Sequence, residues 1–260
     1  MSAASAWGEA LRSWAIPEQI LRQAPEPPWV LPPKMFRVDE PDLALELEPQ
    51  RLAREALGQG GTVLDVGCGG GAASLPLVPW ARAISGVDKD PAMLLNFARA
   101  CEQSQVAHTE VLGDWPEAKA AIAVADVVLC HHVVYNVADI GPFVRALTGS
   151  CRRRVVVVLT DIHPTSPFNP LWEHFWQLSR PTEPTVGLFL EVLAEEGIKP
   201  QAVPFSQPVG QPKLSFEEYV AFARTRLCLP PNRDPEVALV LEERWPLPDP
   251  TLTAVAWSPA

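Results

Sequence analysis

The chain has 260 residues, 47% of them hydrophobic and 20% charged, a balance that excludes a protein disordered along its whole length. Its net charge of −10 argues against nucleic acid as the main partner, since phosphate backbones are normally bound by basic faces, and it favours a small-molecule substrate. No apolar run approaches the roughly 18 residues of a membrane span, and the first residues do not resemble a secretory signal, so no membrane association is predicted.

The first 60 residues are predicted to form short helices interrupted by proline. Amphipathic helices are expected at 7–14 and 17–23, and a third at 49–57. The stretch 24–33 cannot be regular, because its prolines lack amide donors and restrict the residues that precede them. We interpret residues 1–60 as an N-terminal helical cap of a single-domain protein.

From residue 62 onward, short apolar runs alternate with helical segments. The runs are rich in Val, Ile and Leu and mostly lack the alternation of a half-exposed strand; they lie at 62–66, 83–87, 106–112, 126–130 and 153–159. Helices are expected between them, at 91–101, 116–124 and 138–150. This order predicts an α/β fold with a doubly wound, seven-stranded, mostly parallel sheet of the Rossmann-like type.

Residues 161–260 are predicted to complete this sheet around a helical insertion. The expected elements are a helix at 184–197, a strand at 201–205 and a closing strand at 251–258. A capping box formed by Ser215 and Glu218 begins the insertion, which we place at 214–246, before the last strand. Such an insertion could act as a lid over the site.

A glycine-rich loop, 67–71, follows the first predicted strand. Its glycines let the main chain approach a ligand, and a helix is expected to follow and to offer free amide donors. Asp88 ends the next strand, where a carboxylate can accept both hydroxyls of a ribose. Gly67-x-Gly69-x-x-Ala72 with Asp88 also satisfies the dinucleotide fingerprint. Asp65 argues against a dinucleotide, because its negative charge is unfavourable beside a pyrophosphate. It favours a ligand that carries an ammonium group.

Four strand-end motifs together resemble the class I S-adenosylmethionine-dependent methyltransferases of the small-molecule branch. The segment VLDVGCGGG (63–71) is similar to their first motif and GVDKD (86–90) to their second. GDWP (113–116) looks like the loop after their third strand, and ADVVLCHHVVYNVADI (125–140) like the fourth strand and its turn. The resemblance covers residues 62–160, the predicted cofactor-binding core, and implies that the cofactor is S-adenosyl-L-methionine.

The resemblance also implies, position by position, which residues hold the cofactor. They are Asp65, Gly67, Cys68 and Gly69 beside the methionine and ribose, Asp88 at the ribose, Lys89, Asp114 and Trp115 around adenine, and His131 beside the methyl donor. Lys89 departs from the apolar residue that is common beside adenine, although its aliphatic stem can pack there.

The acceptor side is predicted from residues that follow the fourth and fifth strands, because ligands of parallel sheets bind beyond the carboxyl ends of the strands. Four side chains there are candidates for a general base: His131, His132, His163 and, less suited because its phenol is protonated at neutral pH, Tyr135. No spacing of histidines, carboxylates or cysteines predicts a metal site.

Aromatic side chains are the candidates for substrate contact. Trp172 and Trp176 are four residues apart on one predicted helix, and Trp29 and Phe36 lie in the N-terminal segment. We expect methyl transfer to a small aromatic or apolar metabolite, with oxygen favoured; transfer to carbon or nitrogen, and a non-catalytic S-adenosylmethionine-binding protein, remain alternatives. The five cysteines form no CxxC pair and predict reduced thiols in a cytoplasmic protein.

Overall fold

A computed structural model of the protein describes residues 1–30, 32, 35, 47–206, 214–243, 245 and 251–259. Its strands are β1 (Gly61–Val66), β2 (Ala81–Asp88), β3 (Ala107–Leu112), β4 (Ala125–His131), β5 (Cys151–Thr160), β6 (Gln201–Phe205) and β7 (Leu252–Trp257). They form one sheet in the order β3-β2-β1-β4-β5-β7-β6, in which β7 is antiparallel to both of its neighbours and β1 to β5 pair in parallel. The predicted seven-stranded, mostly parallel sheet is therefore confirmed.

The helices lie before, between and after the strands. They are α1 (Ala3–Arg12), α2 (Glu18–Leu21), α3 (Glu48–Leu57), α4 (Pro91–Gln103), α5 (Ile140–Gly149), α6 (Asn169–Trp176), α7 (Val186–Glu195), α8 (Phe216–Arg226) and α9 (Asp234–Glu242). The predicted capping box begins α8, because the Ser215 hydroxyl accepts from the Glu218 amide and the Glu218 carboxylate accepts from the Ser215 amide.

Apolar side chains cover both faces of the sheet. On one face, Trp7 of α1, Phe143 of α5 and Phe189 of α7 are fully buried. On the other face, the buried side chains include Leu52 of α3 and Phe97 of α4. The predicted N-terminal cap, residues 1–60, is thus not one layer: α1 and α3 pack on opposite faces of the sheet, and each contributes to a core.

Two segments that we expected to be α-helical are not. Within 47–206, the glycine loop is followed only by a 3₁₀ turn at Leu75–Leu77, because Pro76 and Pro79 lack the amides that a longer helix needs. The predicted helix at 116–124 is a 3₁₀ segment, Glu117–Ala121, in which no side chain is fully buried, so little packing stabilises a longer helix.

A third group of buried side chains joins α2, α6, α8 and α9, and we call it the outer helical cluster. It includes Ile20 of α2, Leu171 and Trp172 of α6, Phe222 of α8 and Val237 of α9. The insertion between β6 and β7 is therefore packed against the segment after β5 and against part of the N-terminal segment. In the described part of the chain, no helix has the length and apolar character needed to cross a membrane.

Candidate active site

The glycine loop connects β1 to the edge of β2. The amides of Gly67 and Cys68 both donate to the Val87 carbonyl, at 2.8 and 3.0 Å, and fix the loop beside the end of β2. Gly67 and Gly69 have positive φ angles of 70° and 51°, which only glycine adopts at little cost. A Cβ atom at Gly69 would meet no atom within 4 Å, so the loop main chain faces open space there.

Asp88 lies across this loop, as the sequence predicts. One carboxylate oxygen accepts from the Gly69 amide at 2.9 Å, and the other accepts from the Asp90 amide at 3.0 Å. The side chain is half-buried, so part of the carboxylate still faces solvent. These two bonds fix the orientation of an acceptor that can receive ribose hydroxyls beside the glycine loop.

Asp65 is buried behind the same loop. The Ser74 hydroxyl donates to its carboxylate at 2.6 Å. Burial raises the pKa of Asp65 to about 7; the Ser74 hydrogen bond opposes this rise, and the negative charge of Asp88 adds to it. A cationic group placed near Asp65 would therefore stabilise its charged form near neutral pH.

The residues predicted around adenine, together with His131, which is predicted beside the methyl donor, fall into two groups. Asp114 and Lys89 are exposed at the ends of β3 and β2. The indole Nε1 of Trp115 and the Nε2 of His131 are instead buried and have no hydrogen-bond partner among the described residues. Buried polar atoms without a partner are costly unless a ligand satisfies them.

The Cys68 side chain does not reach this space. It is buried in the core between the sheet and α4, next to Gly86, and burial raises the pKa of its thiol far above the usual range. Only the main chain of Cys68 is available for the predicted cofactor contact, because the residue faces the opposite side of the loop.

The turn after β4 carries three of the predicted base candidates. His132 adopts a left-handed conformation, φ 60°, and its side chain is exposed. The Tyr135 hydroxyl bonds to the main chain and hydroxyl of Thr160, within 2.5–2.9 Å, and burial raises its pKa to about 12. Tyr135 therefore holds β4 and β5 together and is unsuited to accept a proton. Burial lowers the pKa of His131 to about 3, so this imidazole is neutral and only weakly basic.

Val133 of the same turn touches the glycine loop. A Cβ atom at Gly67 would lie 2.3 Å from the Val133 Cγ2 atom, so only a glycine fits under this side chain. Two residues further on, Tyr135 packs edge-on against His163, with 5.3 Å between ring centroids. The turn thus connects the glycine loop to the segment that follows β5.

That segment borders a cavity of about 410 Å³, a volume typical of small-molecule sites. Its walls come from residues 14–29, from the segment after β5 and from the end of α8. They include Trp14, Trp29, His163, Trp172, Arg180 and Arg226. Aromatic rings and two cations therefore surround a space beside the segment that follows β5.

His163 is the only predicted base candidate that lines this cavity within the described ranges. Its ring stacks on Trp14, with 4.0 Å between centroids, and its Nδ1 lies 2.8 Å from the Thr165 hydroxyl. Burial lowers the pKa of His163 to about 4, and the charges of Arg226 and Arg180 lower it further in the same direction. The imidazole is therefore neutral at physiological pH.

Of the aromatic residues predicted to contact the substrate, some line the cavity and others do not. Trp172 and Trp29 line the cavity, whereas Trp176 does not: its indole donates to the Leu227 carbonyl at 2.7 Å and packs in the outer helical cluster. The i, i+4 spacing placed both tryptophans on one helix face, but that face is shared between the cavity and the cluster. Phe36 lies outside the described residues.

Sequence reasoning missed several wall residues, of which Trp14, Arg180 and Arg226 matter most for the chemistry of the cavity. Each lies in a segment without a motif, and they are separated by 166 and 46 positions along the chain, so no local spacing connects them. The folding of three distant segments around one space is what brings them together.

The strand order with its antiparallel β7, and the acid at the end of β2 that faces a glycine loop, agree with the Rossmann-like methyltransferase fold that the sequence motifs predict. The family model described as a methyltransferase domain matches residues 64–159. Residues 64–159 therefore carry a methyltransferase domain, and this domain supports an S-adenosylmethionine-dependent enzyme with S-adenosyl-L-methionine as cofactor. No curated protein matches the chain by sequence.

Solved structures of low sequence identity share this fold. A cyclopropane-fatty-acyl-phospholipid synthase-like protein from Lactobacillus casei is 14% identical, with 96% of this chain and 97% of that chain covered and a TM-score of 0.55. Magnesium protoporphyrin IX methyltransferase from Synechocystis, solved with bound S-adenosylhomocysteine, is 13% identical, with 86% and 91% covered and a TM-score of 0.52. The YcgJ protein of Bacillus subtilis is 15% identical, with 82% and 98% covered and a TM-score of 0.53.

Proposed function

We propose that the protein transfers the methyl group of S-adenosylmethionine to an oxygen atom of a small aromatic metabolite bound in the cavity. The observation that carries this proposal is the cavity itself, whose walls are rich in indole rings and which adjoins the turn after β4. A flat, partly apolar molecule would replace water against Trp14 and Trp172. The contact of Val133 with the glycine loop and the contact of Tyr135 with His163 support a donor space next to the acceptor cavity.

The proposed cofactor contacts divide between main chain and side chains. Asp88 accepts the ribose hydroxyls, the loop 67–69 supports the donor from below, and Asp65 faces its ammonium group. Asp114 and Trp115 bind the adenine, with the Lys89 stem beside it. S-adenosylmethionine supplies a methyl group on a positively charged sulfur.

In the proposed reaction, a lone pair of the acceptor oxygen forms the new C–O bond while the C–S bond breaks and its electron pair stays on sulfur. The products are the methyl ether, S-adenosylhomocysteine and one proton. The protein contributes the approach geometry and the exclusion of water. His163 is the residue placed to receive the proton, and His131 lines the donor side.

The low basicity of these histidines bears on the nature of the acceptor. With the pKa of His163 lowered to about 4 and that of His131 to about 3, neither is matched to a proton from an unactivated alcohol. An acidic phenol, which loses its proton far more easily than an aliphatic hydroxyl, suits such weak bases better. Transfer to a neutral amine nitrogen, which needs no base before attack, is the second candidate that the same observation supports.

A product analysis tests this proposal. The protein would be incubated with S-adenosylmethionine carrying a ¹³C-methyl group and with a panel of phenols, anilines and aliphatic alcohols, and the products identified by mass spectrometry and NMR. We expect ¹³C on a phenolic oxygen. A product labelled only on nitrogen or carbon would refute transfer to oxygen, whereas donor binding without any methylated product would favour the non-catalytic alternative.

A further inference from the structure

Two arginine side chains line the cavity without an acidic neighbour. None of the described residues that line it is aspartate or glutamate, and within the described ranges neither Arg180 nor Arg226 forms an ion pair. The nearby Arg224 differs, because its guanidinium pairs with the Asp234 carboxylate at 2.9 Å. The cavity therefore concentrates positive charge in a protein whose net charge is −10.

Main-chain carbonyl groups orient both guanidinium groups. Arg180 donates to the carbonyls of Ala15, at 3.1 Å, and Trp14, while its Nε has no partner among the described residues. Arg226 donates to the Pro28 carbonyl at 3.0 Å. A guanidinium has five N–H groups, so each side chain retains donors after these bonds are made. Carbonyl groups fix the position of the cations but do not neutralise their charge.

Aromatic rings hold Arg180 from two sides. Its guanidinium carbon lies 5.3 Å from the ring centre of Trp14 and 5.0 Å from that of Trp172. Both arginines are half-buried, and burial lowers the pKa of each, which reflects the cost of keeping a cation there without a counter-ion. An anion bound between them would remove this cost.

We infer that the acceptor is an aromatic acid whose carboxylate binds Arg180 and Arg226, while its ring lies against the tryptophans of the cavity. This inference depends on the proposed function, of which it specifies the substrate class. The carboxylate is the anchor and not the methylated group, because oxygen lone pairs that accept from two guanidinium groups are poor nucleophiles. A planar carboxylate suits the forked donors that arginine presents, and bonds of this kind are among the strongest that a neutral-pH site offers.

Equilibrium binding tests the inference without the need for turnover. Calorimetry in the presence of S-adenosylhomocysteine would compare 4-hydroxybenzoate and indole-3-acetate with their uncharged amides and with phenyl phosphate. We expect at least one acid to bind tenfold more tightly than its amide. Equal affinity of acid and amide would overturn the inference, and tighter binding of phenyl phosphate than of either acid would overturn the choice of a carboxylate.

Substitution of the arginines assigns the effect to them. Arg226→Met should weaken binding of the preferred acid at least tenfold and leave its amide within twofold, and Arg180→Lys, which retains the charge but loses the fork, should weaken the acid severalfold. Arg22→Met is the matched control, since this exposed arginine directly follows α2, pairs with Glu18 and does not line the cavity. Unchanged acid affinity in both cavity variants would overturn the inference.

Sulfate is a smaller anionic probe for the case in which none of the tested aromatic acids fits the cavity. Sulfate should raise the melting temperature of the unmodified protein by more than that of Arg226→Met, because the variant lacks one of the two cations. If neither an acid nor sulfate distinguishes the two proteins, the inference is wrong. Oxygen transfer is judged separately, by the position of the ¹³C label, so failure of one proposal is not failure of the other.

Discussion

Gly67→Ala tests the close packing between the glycine loop and the turn after β4. The φ angle of 70° costs an alanine about 1–2 kcal/mol, because its Cβ approaches the following carbonyl. The new Cβ would also lie 2.3 Å from the Val133 Cγ2 atom, which cannot be tolerated unless that side chain moves. Overpacking of this kind costs about 1–3 kcal/mol. We expect the free energy of unfolding to fall by the sum, about 2–5 kcal/mol.

Two further variants separate these contributions. In Gly67→Ala/Val133→Ala the Cγ atoms are gone and the contact with the Val133 Cβ, at 3.4 Å, is ordinary. The double variant should therefore recover the steric part, about 1–3 kcal/mol, relative to the sum of the single changes. Gly69→Ala is the control, since φ is 51° and no atom lies within 4 Å of its Cβ; it should lose only about 1–2 kcal/mol.

Urea unfolding followed by circular dichroism measures these differences, and calorimetry with S-adenosylhomocysteine measures donor affinity. Gly69→Ala should bind the ligand at least tenfold more weakly although it folds well, because its Cβ occupies the proposed donor space. The packing argument is refuted if Gly67→Ala is as stable as Gly69→Ala, or if Val133→Ala recovers nothing.

The remaining predictions concern ionisable groups. Burial raises the pKa of Asp65 to about 7, and a bound cation lowers it again. The affinity for S-adenosylmethionine should therefore rise between pH 5.5 and 7.5, with release of a proton from Asp65 on binding. Calorimetry in two buffers measures both effects, and Asp65→Asn should abolish them. Tyr135→Phe should lower the free energy of unfolding by about 1–3 kcal/mol, because Thr160 loses its hydrogen-bond partner. Its turnover should stay within fivefold of the unmodified protein, and a hundredfold loss of turnover would instead support Tyr135 as the base. The pKa of His163 is lower in the folded chain, about 4, than its usual 6.5, so the unfolded chain binds the extra proton and stability falls as pH drops below 6.5. At pH 5 this loss is about 2 kcal/mol, and urea unfolding of His163→Gln at pH 5 and 8 should lack it.

The sheet was predictable because its strands are buried on both faces. Runs such as 153–159 contain few polar residues and admit little besides a central strand, and β5 is observed at Cys151–Thr160. The prediction of a helix after the glycine loop was wrong for a local reason. Pro76 and Pro79 have no amide N–H to donate, and the prediction followed the motif and did not take these two prolines into account. The motif predicts a helix there and the prolines disfavour one; the observed 3₁₀ turn follows the prolines.

The meeting of the predicted cofactor residues at one edge of the sheet was predictable for a topological reason. In a doubly wound sheet β1, β2 and β3 are sequential neighbours, so the residues just past their ends, Gly67, Asp88 and Asp114, must meet at one edge. No such rule governs the acceptor side. Trp14 and Arg226 come from opposite ends of the chain, and their meeting depends on how the outer helical cluster packs, which no periodicity encodes.

The turn after β4 links the glycine loop on the proposed donor side to the cavity on the proposed acceptor side. Val133 fills the space above Gly67, so the loop that supports the donor and the turn share one packed contact. Tyr135 fixes the other end of the turn through three hydrogen bonds to Thr160 and packs on His163, a wall of the cavity. Because the turn is held at both ends, we expect a donor bound on the glycine loop to be held at a fixed distance from the cavity wall that includes His163. Methyl transfer needs this coupling, since the carbon, sulfur and attacking atom must be aligned to within a fraction of an ångström.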